Sequence, residues 1–319
     1  MTNPKPLPTQ PVKFRVAGEA AIIHEDAVCD NPFDPANDAA YRAWRSRKLA
    51  LVAGIPAEPV HIQNMTHLTA AEHRAIADRC AAANLVIYAC AEPVGKESLQ
   101  RFGEQFGLRR LDTNLCADQD AISSVRINHD GLRKRYIPYT DKALNWHTDG
   151  YYNPFDETIQ SFILHCVRPA AHGGENAFLD PEIVYLLLRD ADPDHILVLM
   201  QPDVMTIPPN AMEYGGLRPA QSGPVFSIDP VNGALRMRFT ARSRSIVWKD
   251  DSRVERARQA LNGILHETQH VIRYRLAAGQ GVVTNNVLHS RTAFRDTPPR
   301  TRLLYRARYY DRVSARDAG

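Results

Sequence analysis

The pattern of apolar and polar positions predicts helix, buried strand and helix in the first third of the chain. Thr69 stands three residues before Glu72, the spacing of a capping box, and opens a helical pattern that runs into the apolar segment LVIYAC. A second helical pattern covers residues 95–108, and the glycine near its end is typical of a helix stop. We therefore expect the domain to begin with mixed helix and strand structure.

Beyond residue 120 the pattern changes to short alternating segments separated by turn residues. Segments such as ALRMRFTA, GVVTNN and RLLYRARYY have the length and residue types of strands, and many short strands are typical of a sandwich, jelly roll or barrel. Helical patterns interrupt them at residues 180–190 and 251–269. Residues 206–223 have no period and are rich in Pro and Gly, which predicts a long loop of the lid or binding type.

Composition narrows the class of partner. The 39 Lys and Arg against 36 Asp and Glu leave a formal charge of +3, without a basic run, which argues against nucleic acid. No segment approaches the roughly 18 consecutive apolar residues of a membrane span, and the five scattered cysteines lack CxxC spacing. We expect a soluble, cytoplasmic protein with a flexible Pro-rich arm over residues 1–15. A homo-oligomer is compatible with this composition.

The segment NWHTDG carries the first sign of chemistry. His147 and Asp149 are two apart in a strand-like run, so their side chains are predicted to share one face of a sheet. His289, in VVTNNVLHSR, lies in a late strand beside a turn. Two histidines and one carboxylate form the facial triad that holds non-haem Fe(II) and leaves positions open for a cosubstrate and O2. The alternative is an exposed strand end with a local His–Asp hydrogen bond.

Arginines follow in the last predicted strand. Arg302, Arg306 and Arg308 share strand parity and are predicted to line one face. An inward arginine is costly to bury unless it binds a carboxylate, which its planar fork does with two hydrogen bonds. A dicarboxylate bound to iron by its keto-acid end would present its far carboxylate to such a residue. For Arg302, a structural salt bridge is the alternative to a role in the site.

A second metal-like motif, HETQH, matches the H-E-x-x-H signature of zinc metalloproteases. The helical pattern that begins near residue 252 places Val254 and Ala257 on the apolar side and His266 and His270 opposite. The next segment, HVIRYRL, alternates like a strand, so the helix is predicted to end with the motif as a solvated last turn. A zinc hydrolase built on HETQH is the alternative hypothesis, and a non-catalytic jelly-roll binding module is another.

The order of NWHTDG, HCVRPAAHGGEN, NNVLHSR and RLLYRAR resembles the Fe(II)/2-oxoglutarate-dependent dioxygenases of the taurine dioxygenase (TauD/TfdA) superfamily, over residues 60–312. The arginine spacing is similar to the glutarate hydroxylase branch, and YY and LHC are similar to the γ-butyrobetaine hydroxylase branch. The resemblance implies a mainly β, α+β fold with flanking helices and a double-stranded β-helix (jelly roll) core. It also implies a single dioxygenase domain with helical insertions over residues 16–319.

The same resemblance implies the cofactors Fe(II), 2-oxoglutarate and O2, and it makes the two histidines and the aspartate described above the iron ligands. Arg306 would bind the C5 carboxylate of 2-oxoglutarate, with Arg308 as the rival for that role. Asn176, in GGEN, stands where taurine dioxygenase has a threonine that contacts 2-oxoglutarate, a departure from the family pattern.

The implied reaction is the oxidation, most simply the hydroxylation, of a small anionic or amino-acid-like molecule. It is coupled to decarboxylation of 2-oxoglutarate to succinate and CO2. The predicted substrate-binding residues are Asn145, Tyr151, Tyr152, Tyr214 and Arg302.

Overall fold

The computed structural model describes residues 31–114, 116–211, 217–242 and 246–314. The arm predicted for residues 1–15 lies outside these ranges, and the single-domain organisation over residues 16–319 stays a prediction. No helix in the described ranges has the length and apolar character needed to cross a bilayer. The α-helices of the described residues are α1 (Asp38–Ala53), α2 (Ala70–Ala83), α3 (Lys96–Glu104), α4 (Pro181–Ala191), α5 (Pro193–Leu199) and α6 (Ser252–Glu267).

The strands are short, as the alternating segments predicted. They are β1 (Val60–Ile62), β2 (Leu85–Cys90), β3 (Ser123–Val125), β4 (Leu144–His147), β5 (Ser161–Arg168), β6 (His172–Gly173), β7 (Asn176–Leu179), β8 (Met205–Ile207), β9 (Asn210–Ala211), β10 (Leu217–Arg218), β11 (Gln221–Gly223), β12 (Phe226–Ile228), β13 (Leu235–Met237), β14 (Val247–Trp248), β15 (Ile272–Tyr274), β16 (Gln280–Thr284), β17 (Leu288–Arg291), β18 (Phe294–Arg295) and β19 (Leu303–Tyr309).

Two sheets form the core of the fold. The larger has the strand order β1-β2-β16-β5-β19-β3, and the smaller has the order β15-β7-β17-β4. Between them lies an apolar cluster that includes Phe162 and Leu164 from β5 and Phe178 from β7. Strand side chains alternate between faces, so Ile163, next to Phe162, packs on the opposite side of the larger sheet, in the cluster that includes helix α2 and α3 residues. This arrangement confirms the predicted mainly β, jelly-roll core with flanking helices.

The predicted capping box at the start of helix α2 is confirmed. The Thr69 side chain accepts a hydrogen bond from the Glu72 amide, and the Glu72 carboxylate accepts one from the Thr69 amide, the reciprocal pair of a capping box. Helix α3 ends at Glu104, short of the predicted residue 108. Helix α6 ends at Glu267, inside the HETQH motif and three residues before the predicted end at His270.

Two local predictions differ from the structure. The segment 206–223 was predicted to be an aperiodic loop, but its described part includes strands β9, β10 and β11, and β8 ends within it. These ladders are two or three residues long and are paired by backbone hydrogen bonds, so they need no alternating apolar pattern. Helix α1 was not predicted, because one of its buried positions is Lys48, a residue type that breaks an apolar stripe.

Lys48 links helix α1 to the start of helix α4 through a buried ion pair, and this contact gives a stability prediction. It is 3% exposed, and its Nζ lies 2.6 Å from Asp180 and 2.7 Å from Glu182. Removing one member of a buried ion pair leaves uncompensated charge behind, so Lys48→Met is expected to lower the free energy of unfolding by roughly 3–5 kcal/mol. Urea denaturation measures this. The control is Arg47→Met, at an exposed neighbouring position, and an equal loss in both variants would contradict the account.

Candidate metal and cosubstrate site

Two histidines face each other on the inner surface of the smaller sheet. His147 on β4 and His289 on β17 are directly paired across the ladder, and their ring centroids are 4.2 Å apart. Their neighbours Trp146 and Leu288 point the other way and pack in the cluster that includes helices α4 and α6. The strand alternation therefore turns both imidazoles into the space between the sheets.

Each imidazole is oriented by its own strand. The Nδ1 of His147 lies 2.9 Å from the carbonyl oxygen of Asn145, and the Nδ1 of His289 lies 3.0 Å from that of Val287. A carbonyl oxygen only accepts, so each Nδ1 carries the proton and each Nε2 presents a lone pair. Burial, together with the neighbouring His289, lowers the pKa of His147 to about 3. Burial also lowers the pKa of His289. Both rings are neutral at pH 7, the state that ligates a metal.

Asp149 reaches the same space from a turn rather than from the strand. Strand β4 ends at His147, so the predicted sharing of one strand face does not extend to Asp149. Asp149 is 5% exposed, and its Oδ2 is buried without a hydrogen-bond partner. Its Oδ1 lies 3.4 Å from Arg306 and 3.9 Å from Arg308. Burial alone would raise the pKa of the Asp149 carboxyl, but the two guanidiniums more than offset it and hold the pKa well below its usual range.

The three side chains converge on one point. One potential ligand atom from each of His147, Asp149 and His289 lies within 4.8 Å of the others, and in the described residues no other group of three His, Cys, Asp or Glu side chains does so. Two neutral imidazoles and one carboxylate oxygen without another partner fit the 2-His-1-carboxylate set that holds a divalent iron. A bound cation would give the buried Oδ2 of Asp149 the partner that it lacks.

Arginines on the larger sheet face the space that contains these three side chains. Arg306 and Arg308 alternate with Ala307 on β19 and point inward, as their shared parity predicted. The guanidinium of Arg308 is paired with Asp112 and donates to the Tyr152 hydroxyl at 3.0 Å. The two Nη groups of Arg308 are therefore already engaged by side chains, whereas Arg306 has one side-chain contact, to Asp149 at 3.4 Å. The Nε atoms of both arginines are buried without a partner.

A third arginine lies further along the barrel. Arg302 is 4% exposed, and its Nη1 has no hydrogen-bond partner. It lines a small cavity together with Asn176, Cys166 and Leu304. Burial lowers the pKa of Arg302 to about 10. Such a buried cation, with unused hydrogen-bonding capacity, is matched to a carboxylate ligand.

Strand geometry places this cavity at a defined distance from the histidines. On β7 and β17, Phe178 pairs with His289, and Asn176 pairs with Arg291. Two residues along a strand correspond to about 6.6 Å. The Asn176 side of the cavity thus lies one inward-facing row beyond the imidazoles, a separation that a five-carbon dicarboxylate bridges.

The predicted substrate-binding residues have different surroundings. The Asn145 side chain is exposed, and its contact to the site is the backbone carbonyl that orients His147. The Tyr151 ring lies edge-on to His147 with centroids 6.4 Å apart, and it also contacts the Tyr152 ring. Both tyrosines lie in a turn, not in an extended segment, so both reach the site. Tyr214 lies outside the described residues.

The HETQH motif is not part of this site and has a different environment. His266 and Glu267 are exposed at the end of helix α6, whose buried residues include Leu261 and Leu265. No described residue joins them in a group that could hold a metal. The predicted solvated last turn is therefore confirmed.

Sequence reasoning missed three residues that shape the site. Phe162 packs against the His289 ring at 4.7 Å between centroids. Arg291 shares the parity of His289 on β17, a signal that the sequence did contain, and burial lowers its pKa to about 9. Asp112, the partner of Arg308, had no sequence signal because it lies in an irregular segment almost 200 residues away.

Known proteins resemble this chain in sequence. The family model described as "Taurine catabolism dioxygenase TauD, TfdA family" matches residues 29–308. A uridine-5'-phosphate dioxygenase from Amycolatopsis is 32% identical over 174 residues, which span 51% of this chain and 60% of that protein. A protein of the same name from Streptomyces is 29% identical over 216 residues, 64% of this chain and 75% of that protein.

Solved structures share the fold. A mutant of the non-heme iron oxygenase OrfP, in complex with (3S)-hydroxy-L-arginine, superposes with a TM-score of 0.56 and covers 92% of both chains at 15% identity. At this identity the similarity concerns the fold. It confirms the jelly-roll architecture described above.

Proposed function

The chain belongs to the TauD, TfdA family of dioxygenases, and we propose that it is a non-haem Fe(II)/2-oxoglutarate-dependent oxygenase. The convergence of His147, Asp149 and His289 on one point is the observation that carries the proposal. When bound, iron and 2-oxoglutarate supply the oxidation of a substrate by O2, coupled to decarboxylation of 2-oxoglutarate to succinate and CO2.

In this proposal the chain supplies orientation and exclusion of water. His147 and His289 ligate through Nε2 because their Nδ1 protons are held by backbone carbonyls. Asp149 would ligate through its carboxylate, whose Oδ1 lies 3.9 Å from the Nε2 of His147 and whose Oδ2 is buried without a partner. Phe162, packed against the His289 ring, covers the inner side of the site and keeps it dry.

We assign the C5 carboxylate of 2-oxoglutarate to Arg302 and Asn176, in place of Arg306, which the sequence pattern had favoured. Arg302 and Asn176 line one cavity, one inward-facing row beyond the histidines, and the Nη1 of Arg302 lacks a partner. Arg306 contacts the metal ligand Asp149. Arg302 and Asn176 would therefore hold the far carboxylate of a cosubstrate whose keto-acid end binds the metal.

With 2-oxoglutarate assigned to Arg302, Arg306 is available to bind the substrate. Its guanidinium lies beside Asp149 with the Nε unpaired, so it offers charge-assisted hydrogen bonds to an anion close to the metal. Two relatives are named uridine-5'-phosphate dioxygenases. We propose that the substrate is a nucleoside 5'-phosphate whose phosphate binds Arg306. The narrower placement in the glutarate hydroxylase or γ-butyrobetaine hydroxylase branch stays a prediction.

A substrate panel tests this proposal. With Fe(II), 2-oxoglutarate and O2, uridine 5'-phosphate is expected to stimulate succinate formation, whereas uridine, which lacks the phosphate, is not. Arg306→Ala is expected to weaken stimulation by the nucleotide. Removing one partner of a buried charge pair reduces the binding free energy by roughly 2–5 kcal/mol. Stimulation by free amino acids and not by nucleotides would overturn the substrate class and leave the reaction class standing.

A further inference from the structure

One side chain outside the predicted site residues links the two segments that carry the metal ligands. Asn286 lies in the turn between β16 and β17, three residues before His289. It is 7% exposed and has a positive φ of 51°, in the left-handed region. Asparagine tolerates this region better than most residues.

The amide of Asn286 is used almost fully, and on main-chain groups alone. Its Oδ1 accepts a hydrogen bond from the Asp149 amide at 2.8 Å. Its Nδ2 donates to the carbonyl oxygen of Asp149 at 3.0 Å and to that of Ile159 at 2.7 Å. One acceptor faces an N–H and two donors face carbonyls, so only this orientation of the amide satisfies all three partners.

These hydrogen bonds hold the two ends of a loop together. Asp149 begins and Ile159 ends the segment that includes Tyr151 and Tyr152, and the Asn286 amide binds the main chain at both ends. Gly150 allows the close approach, because a Cβ there would lie 2.4 Å from the Ile159 side chain. The position of the Asp149 main chain is thereby fixed relative to the turn that leads to His289.

We propose that Asn286 is a positioning residue of the metal site, which holds the Asp149 carboxylate at a fixed distance from the His289 imidazole. The proposal rests on the proposed function in that it takes His147, Asp149 and His289 as the metal ligands. A loose Asp149 would cost metal affinity even though no ligand is lost. Groups hydrogen-bonded behind metal ligands typically contribute 10–100-fold to affinity.

Mn(II) alone, added to the full-length protein and followed by electron paramagnetic resonance of the free ion, tests this. Asn286→Gly keeps the backbone free to adopt a positive φ and removes the amide, so we expect its Kd for Mn(II) to rise 10–100-fold. The matched control is Asn285→Ala. Asn285 is the adjacent buried amide, and it binds Asn84 and the Val313 amide instead of Asp149. Its Mn(II) affinity is expected to stay at the wild-type value.

The outcomes separate the possible failures. A wild-type Kd for Mn(II) in Asn286→Gly overturns the positioning role. This holds even if Asn286→Ala binds Mn(II) weakly, because the backbone conformation, and not the amide, would then explain the weak binding. Equal weakening in Asn285→Ala overturns it as well, since a general loosening of the turn would explain both. If the wild type binds no Mn(II), or His289→Ala binds it equally well, the metal site itself fails and the inference falls with it.

Discussion

Replacing His289 by alanine is expected to reduce 2-oxoglutarate-dependent turnover to background and to abolish tight Fe(II) binding. The loss should exceed the 10–100-fold typical of groups behind the ligands, because only two ligands would remain on the ion. Anaerobic iron titration measures the binding, and succinate formation with a responsive substrate measures the turnover.

The chain contains its own control for this experiment. His266 is an exposed histidine of the HETQH motif, and His266→Ala should leave both iron binding and succinate formation unchanged. The opposite pattern, with His266→Ala or Glu267→Gln inactive and His289→Ala active, would favour the zinc hydrolase hypothesis. A fully active His289→Ala variant would remove the basis for an iron site between the sheets.

Replacing Arg302 by leucine is expected to raise the Kd for 2-oxoglutarate by about 30-fold or more. Loss of one partner of a buried charge pair costs roughly 2–5 kcal/mol, and each 1.4 kcal/mol corresponds to about tenfold in Kd. The affinity of the metal itself should change little, because Arg302 contacts the cavity around Asn176 rather than the ligands. Calorimetric titration of the Mn(II)-loaded protein with 2-oxoglutarate under nitrogen provides the measurement.

Two further arginines make this test specific. Arg300→Leu, at an exposed position two residues earlier, should bind 2-oxoglutarate like the wild type. Arg306→Ala should act mainly on the substrate. If Arg306→Ala weakens 2-oxoglutarate binding and Arg302→Leu does not, the assignment implied by the family resemblance is right and the one drawn from the cavity is wrong.

The candidate ligands could be found from the sequence because their geometry is local. Residue types and spacing singled out His147, Asp149 and His289, although the expected sharing of one strand face failed for Asp149, which lies in a turn after β4. The jelly roll followed from the number of short strands together with the family resemblance. The helix pattern before HETQH was equally local, and it correctly turned His266 towards solvent.

The sequence could not predict how far each of the three arginines lies from the metal ligands. Parity placed Arg302, Arg306 and Arg308 on one face but not their positions relative to the metal ligands, and β19 has a register shift between Leu303 and Leu304. The contact between Asn286 and Asp149 joins positions 137 residues apart. Such contacts depend on how turns fold back onto strands, for which a single sequence carries no periodic signal.

The most direct test of the central claim is the stoichiometry of the wild-type reaction with a responsive substrate. An Fe(II)/2-oxoglutarate-dependent oxygenase built on His147, Asp149 and His289 predicts that O2 uptake and succinate formation occur in equal amounts. Both should stop when either Fe(II) or 2-oxoglutarate is omitted. Turnover that persists without 2-oxoglutarate, or O2 uptake without succinate, would contradict the account.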